Sequence, residues 1–184
     1  EELEDIGAAN GKPPAKVPAV SPTTESQFLS FLFRKVLRIV NFRIDAICHA
    51  LQLPKEYRVT NQIQIALRFL LRHHIEALYD RHVDHFVLCS IYAICKVMNV
   101  KPEVTFVKLI DTYIAVRGQE LGELACQRIV RQICLLPDSA ENFNNGQKPI
   151  GNIIDLYNRI YIPKMKKHLL YSKSLKRQTA VVSG

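Results

Sequence analysis

Lys96 nearly closes the stretch DRHVDHFVLCSIYAICKV, residues 80 to 97, in which almost every position after His85 is apolar or small. An ammonium one helical turn beyond Tyr92 must reach solvent or meet a carboxylate, because an unpaired charge among apolar side chains is costly. At a helix end a cation also suits the dipole. The chemistry open to Lys96 is that of a single-point anchor for an acid. A second candidate is the histidine cluster His73, His74, His82 and His85, with Asp80 and Asp84 close by. His82 and His85 stand one turn apart, as two metal ligands would. No HExxH pattern and no cysteine in register accompany them, so they read as capping, core and solvent-facing histidines, and no metal is expected. Catalytic patterns are weaker still: there is no GxSxG, no glycine-rich phosphate loop and no pair of acids in an apolar frame. The chain reads as a binding module and not an enzyme, with no cofactor.

The elements that must position these residues are helices. Residues 1 to 25 are rich in Pro, Ala, Gly and acids and read as a disordered spacer. Thr24 and Gln27 have capping-box spacing ahead of an apolar run that continues helically to Leu53 and stops at Pro54. That helix is apolar on most faces, so it must be covered on more than one side. Thr60 or Asn61 caps a second helix reaching about Tyr79, with Ile63, Leu67, Leu70, Leu71 and Leu78 inward. Asp80 caps a third, in which Val83, Val87, Ile91, Ile94 and Met98 recur at helical spacing. Pro102 suits the first turn of a fourth, which carries Phe106, Leu109, Ile110 and Tyr113 and ends near Gly118. Leu121 to Leu135 is a fifth, Pro137 to Gly151 a loop, and a last helix runs from about Asn152 to roughly Ser172, kinked or interrupted at Pro163. No strand alternation stands out. The fold class is all-α, with five to six helices.

Composition fits one globular domain of 184 residues with 48% apolar content. The apolar run of residues 30 to 42 is broken by Arg34, Lys35 and Arg38, and none approaches the roughly 18 residues of a spanning helix. Neither a membrane segment nor a secretory signal is expected. The five cysteines, Cys48, Cys89, Cys95, Cys126 and Cys134, lie in apolar helical patterns without a CxxC pair, which fits buried thiols in a reducing compartment. Residues 1 to 25 carry five acids against Lys12 and Lys16, so most of the net +8 belongs to the folded part, which favours acidic partners. The densest basic stretch runs from Arg159 to Arg177. It lacks any recognition motif, so direct nucleic-acid reading is not expected.

Three segments carry a family resemblance. DRHVDHFVLCSIYAICKV resembles the signature helix in the B half of the retinoblastoma-family pocket proteins, through Asp80-Arg81-His82, Asp84, Cys89-Ser90, Tyr92 and Ile94-Cys95-Lys96-Val97. LYNRIYIPKMKKHLLYSKS, residues 156 to 174, resembles the family's Tyr-Asn-x-Ile-Tyr motif, in the form seen in the two paralogues of the retinoblastoma protein. LSFLFRKVLRIVNFRIDAIC, residues 29 to 48, resembles its opening B-box helix. The likeness covers about residues 26 to 175, which leaves 1 to 25 as spacer and 176 to 184 as a flexible tail.

The resemblance implies a cyclin-like helical fold whose B half holds a shallow groove for Leu-x-Cys-x-Glu peptides. Carried over by position, Tyr92, Lys96, Tyr157 and Asn158 match groove residues, with Tyr157 and Asn158 holding the peptide backbone and Lys96 meeting its glutamate. Phe106 corresponds to an aromatic wall, although this chain has two extra residues between Val97 and Phe106, and Val107 replaces a polar or basic residue. Arg34 and Arg38 match basic positions that meet cell-cycle transcription factors where the A and B halves join, while Arg43 matches a more structural arginine. Ser21-Pro22 is the one Ser/Thr-Pro pair, a candidate for the proline-directed kinases that regulate the family. The implied partners are the A half of the same full-length chain, cell-cycle transcription factors, and chromatin-modifying proteins bearing Leu-x-Cys-x-Glu motifs. The implied role is a nuclear transcriptional corepressor adaptor. The alternative is a cyclin box of a cyclin or general transcription factor.

Overall fold

The computed structural model describes residues 24–54, 58–136 and 148–171, with side chains from Gln27 onward. Ser21, nearly all of the expected spacer and the 176–184 tail lie outside the described residues.

The chain folds as helices α1 (Thr24–Ala50), α2 (Val59–His73), α3 (Val83–Val97), α4 (Phe106–Leu121) and α5 (Glu123–Arg131). A sixth, α6, opens as Ile153–Leu156, passes through a π turn at Tyr157–Tyr161 and continues over 162–171. Helix α3 is the axis, touching α1, α2, α4, α5 and both the opening and the π turn of α6. Encirclement explains its sequence: every residue from Asp84 to Ile91 is buried, as are Ala93, Ile94 and Cys95, so no polar face is needed until Lys96.

Helix α1 is apolar on two faces. Val40, Ile44, Ile47, Cys48 and Leu51 point into the core, while Phe28, Phe31, Leu32, Ile39 and Phe42 recur at three- and four-residue spacing on the outside and stay exposed. It ends in a Schellman motif: Gln52 takes the left-handed conformation (φ 55°), its N–H donating to His49 O at 3.0 Å and that of Leu53 to Cys48 O at 3.1 Å. Pro54 then bars a restart.

Several boundaries differ from the sequence reading, each for a local reason. The cap of α3 is His82, whose Nδ1 accepts the Asp84 N–H at 3.1 Å, and not Asp80, which pairs with Lys148 at 2.6 Å. Helix α2 starts at Val59 behind a left-handed Arg58, without a side-chain cap. Helix α4 starts after Thr105, whose hydroxyl accepts the Lys108 N–H, so Pro102 belongs to the preceding turn. Gly122, at φ 84°, is the boundary between α4 and α5 rather than a residue inside a fifth helix. Ile133–Cys134, in the segment read as the end of the fifth helix, and Ile150–Gly151, at the end of the segment read as a loop, form a short antiparallel pair. A side chain at Gly151 would press on the side chains of Leu135 and Asp155, which would have to shift to admit it. Arg81 fastens the pair to the segment just ahead of α3, donating to Cys134 O at 2.8 Å, to Ala77 O at 2.7 Å and to Leu136 O. In α6 the irregularity precedes Pro163: the Ile162 N–H reaches back five residues to Tyr157 O, a widened turn just before a residue that lacks an N–H.

Candidate functional site

Three rings from three elements converge at one end of α3. Tyr92 lies on α3, Phe106 opens α4, and Tyr157 opens the π turn of α6. The Tyr92 and Phe106 rings stack at 3.8 Å between centroids, and Tyr157 meets them edge-on at 5.1 and 5.3 Å. Phe106 is buried, whereas Tyr92 and Tyr157 are half-buried and so form an apolar surface open on one side. Behind them Tyr161 stacks on Tyr157 at 5.8 Å, and its hydroxyl donates to Ser90 Oγ at 3.0 Å. Burial, reinforced by Tyr92 and Cys89, pushes the Tyr157 phenol up to about 12. It is therefore a protonated donor at neutral pH.

Lys96 stands at the edge of this surface, one turn beyond Tyr92, with Nζ 5.6 Å from the Tyr92 centroid. It is not sunk in the core: its side chain is 43% exposed. It also already has an acid, from its own chain, since Nζ donates to Glu103 Oε1. That hydrogen bond raises the Lys96 pKa and lowers that of Glu103. The backbone explains the meeting. Helix α3 ends in a Schellman motif with Asn99 left-handed at φ 52°, the Asn99 N–H donating to Lys96 O at 3.2 Å and the Val100 N–H to Cys95 O at 3.0 Å. The chain reverses there and runs to the Thr105 cap, carrying Glu103 back beside the last turn of α3.

A family model, the retinoblastoma-associated protein B domain, matches residues 28–166, well over half of the chain. The chain belongs to the retinoblastoma B-domain family. The match removes the ground for reading it as the cyclin box of a cyclin or general transcription factor. Among similar proteins, a retinoblastoma-related protein of Cocos nucifera is 26% identical over 144 residues, 77% of this chain. Retinoblastoma-related protein 3 of Zea mays is 26% identical over 172 residues, 92% of this chain. Retinoblastoma-like protein 1 of Rattus norvegicus is 25% identical over 180 residues, 85% of this chain. The chain spans only 13 to 16% of the length of these relatives.

In this B domain Tyr92, Phe106, Tyr157 and Lys96 form one cluster. Asn158 follows Tyr157 in the π turn and is exposed. Arg34 and Arg38 are elsewhere, exposed on the outer side of α1 near its uncovered Phe and Leu side chains, with Lys35 Nζ 4.6 Å above the Phe31 ring. Sequence reasoning missed Glu103. The signal available was a helix-stopping Asn99, three residues past Lys96, followed by an acid inside a turn short enough to fold back.

The remaining charged residues of the DRHVDH stretch are occupied structurally. Asp84, 1% exposed, accepts from Arg43 Nη1 at 2.5 Å and from the Tyr113 hydroxyl at 2.9 Å, with Arg117 Nε 3.8 Å away. His85 Nε2 lies 2.7 Å from Ile129 O, to which it donates, and burial lowers its pKa to about 4. Its Nδ1 is buried without a hydrogen-bond partner among the described residues, as suits a neutral ring. Burial also lowers the pKa of His82. Among the described residues no group of three or more His, Cys, Asp or Glu is arranged to hold a metal ion. Cys48, Cys89, Cys95 and Cys126 are buried free thiols and Cys134 is half-buried; burial pushes Cys48 and Cys95 up to about 12. No described helix is long and apolar enough to cross a membrane. Of the basic stretch from Arg159, Lys164 pairs with Glu76 at 2.9 Å, and Arg159, Lys166 and Lys167 are exposed.

Proposed function

We propose that this chain is the B half of a nuclear retinoblastoma-family corepressor, an adaptor without catalytic activity that joins transcription factors to chromatin-modifying proteins. The observation that carries the reading is the convergence of Tyr92, Phe106 and Tyr157 into a half-open aromatic surface with Lys96 at its edge. An extended Leu-x-Cys-x-Glu peptide suits such a surface. Its apolar side chain lies on the rings, its backbone bonds to the Tyr157 hydroxyl and the Asn158 amide, and its glutamate meets Lys96. The exposed apolar face of α1 is the seat of the A half, and Arg34 and Arg38 beside it meet the acidic activation segments of cell-cycle transcription factors. In this role Ser21 is a phosphorylation site, adding negative charge ahead of α1.

The test is a titration of a labelled Leu-x-Cys-x-Glu peptide against the chain. Asn158→Ala is expected to weaken binding about tenfold, the loss of one or two well-placed hydrogen bonds. Lys96→Ala is expected to weaken it several-fold. Undiminished binding in both variants overturns the assignment of this site.

A further inference from the structure

Glu103 puts a carboxylate on Lys96, the cation by which the proposed groove would hold a guest acid. Three features make this more than a chance surface pair. The two ends of the turn are fixed, by the Schellman motif at Asn99 and by the Thr105 cap of α4, so Glu103 is held near Lys96 and does not have to find it. A cleft of about 130 Å³ lies beside the pair, lined by residues that include Cys95, Asn99, Lys101 and Val104, which gives a displaced carboxylate somewhere to go. Finally, the Lys96 and Glu103 side chains are 43% and 56% exposed, so the pair opens easily to water.

We propose that Glu103 is a resident ligand of the Lys96 anchor, and that a guest acid binds by exchanging with it. The inference rests on the peptide-groove reading of this site and adds a determinant of selectivity to it. Exchange breaks one ammonium–carboxylate pair and forms another, leaving the number of ion pairs unchanged. The guest's acid therefore contributes less than it would at an unoccupied lysine, and selectivity shifts toward what the guest places on the three rings. The displaced Glu103 remains beside the guest, so a second acid next to the guest's glutamate is disfavoured.

The probes are a labelled Leu-x-Cys-x-Glu peptide and its twin with glutamine in place of the glutamate, titrated against the 184-residue chain and its Glu103→Gln variant. Glu103 is exposed, so the variant should fold, and matched thermal melts check that it does. The variant is expected to bind the acid peptide two- to fivefold more tightly, the range of an exposed ion pair, and the glutamine peptide equally well. A wild-type chain that prefers the acid peptide, with a variant that binds it no better or more weakly, overturns the exchange and leaves the groove standing. If neither protein distinguishes the two peptides, the groove reading itself falls, and the exchange with it. An independent readout is the Glu103 carboxyl resonance, which should titrate below the usual carboxylate range in the free chain and rise toward it when the peptide saturates, Lys101 still holding it down in part. A resonance unmoved by the peptide overturns the exchange.

Discussion

The two ends of α3 each carry a charge, and the contrast between them separates what holds this B domain together from what it offers to others. At the N-terminal end Asp84 is almost fully buried, and its oxygens face Arg43 from α1 and Tyr113 and Arg117 from α4. The carboxylate pins three helices, and nothing outside the chain can reach it. At the C-terminal end Lys96 is nearly half exposed, paired with Glu103 from a turn and lying beside Tyr92. A charge surrounded by partners from several helices is structural; a charge whose ion pair is exposed to solvent on both sides is open to competition.

The largest effect that would sharpen this contrast is the loss of Asp84. Asp84→Ala removes the buried counter-charge of Arg43 and Arg117 and strands the Tyr113 hydroxyl. A destabilisation of about 3–5 kcal/mol is expected in urea unfolding. A loss under about 1 kcal/mol would mean that the N-terminal end is no more structural than an ordinary surface. Next in size is the pH dependence set by His85. Its folded pKa of about 4 lies below the ordinary value of 6.5 because the ring is desolvated, with His82, Asp84 and Arg81 as the charged neighbours. Below pH 6.5 the unfolded chain takes up a proton that the folded chain refuses, so stability falls as pH falls toward 4 and this contribution then levels off. The loss from this ring between pH 7 and pH 4.5 is expected to be about 2–3 kcal/mol. His82, also lowered, acts in the same direction. In His85→Gln the slope should shrink by this ring's share, with His82 and His168, both lowered by burial, supplying what remains; an unchanged slope refutes the assignment.

The residue patterns separated these two ends only in part. Helix count, the central position of α3 and the convergence of Tyr92, Phe106, Tyr157 and Lys96 were legible, because burial on all sides leaves a nearly continuous apolar run and the family motifs carry the ring positions. The role of Asp84 was not, because its three polar partners lie 29 to 41 residues away, and although Arg43 reads as structural, nothing in the sequence ties it, Tyr113 or Arg117 to Asp84. The Lys96 partner escaped for the opposite reason: Glu103 is only seven residues on, but the link depends on Asn99 adopting a left-handed conformation and reversing the chain. Pro102 and Gly118 misled because both suit a helix boundary by residue type, whereas α4 starts after the Thr105 side-chain cap and runs through Gly118 to Leu121, ahead of Gly122 at positive φ.

Between the two ends lies the Tyr161–Ser90 hydrogen bond, buried completely and joining the π turn to the middle of α3. Ser90→Ala leaves the Tyr161 hydroxyl buried and unpaired, at an expected cost of about 1–2 kcal/mol. Because Tyr161 supports Tyr157, the same variant should also weaken peptide binding. Lost stability with full binding would show that the π turn holds its shape without this tie.

The smallest expected effect is the most diagnostic. Lys96→Ala removes an exposed ion pair, and its cation lies over the Tyr92 face without being enclosed by it. Exposed pairs contribute little, so the melting temperature should move by no more than about 2 °C. The same variant should weaken binding of an acid-bearing peptide several-fold. Affinity lost without stability is what an anchor predicts. If thermal melts instead fell as far as in Ser90→Ala, Lys96 and Glu103 would be fastening the turn to α3, and the C-terminal end would be structural like the N-terminal one. Glu103→Gln separates these cases further. A fastening pair makes it destabilising, whereas a resident ligand leaves the melt unchanged and frees the lysine for a guest.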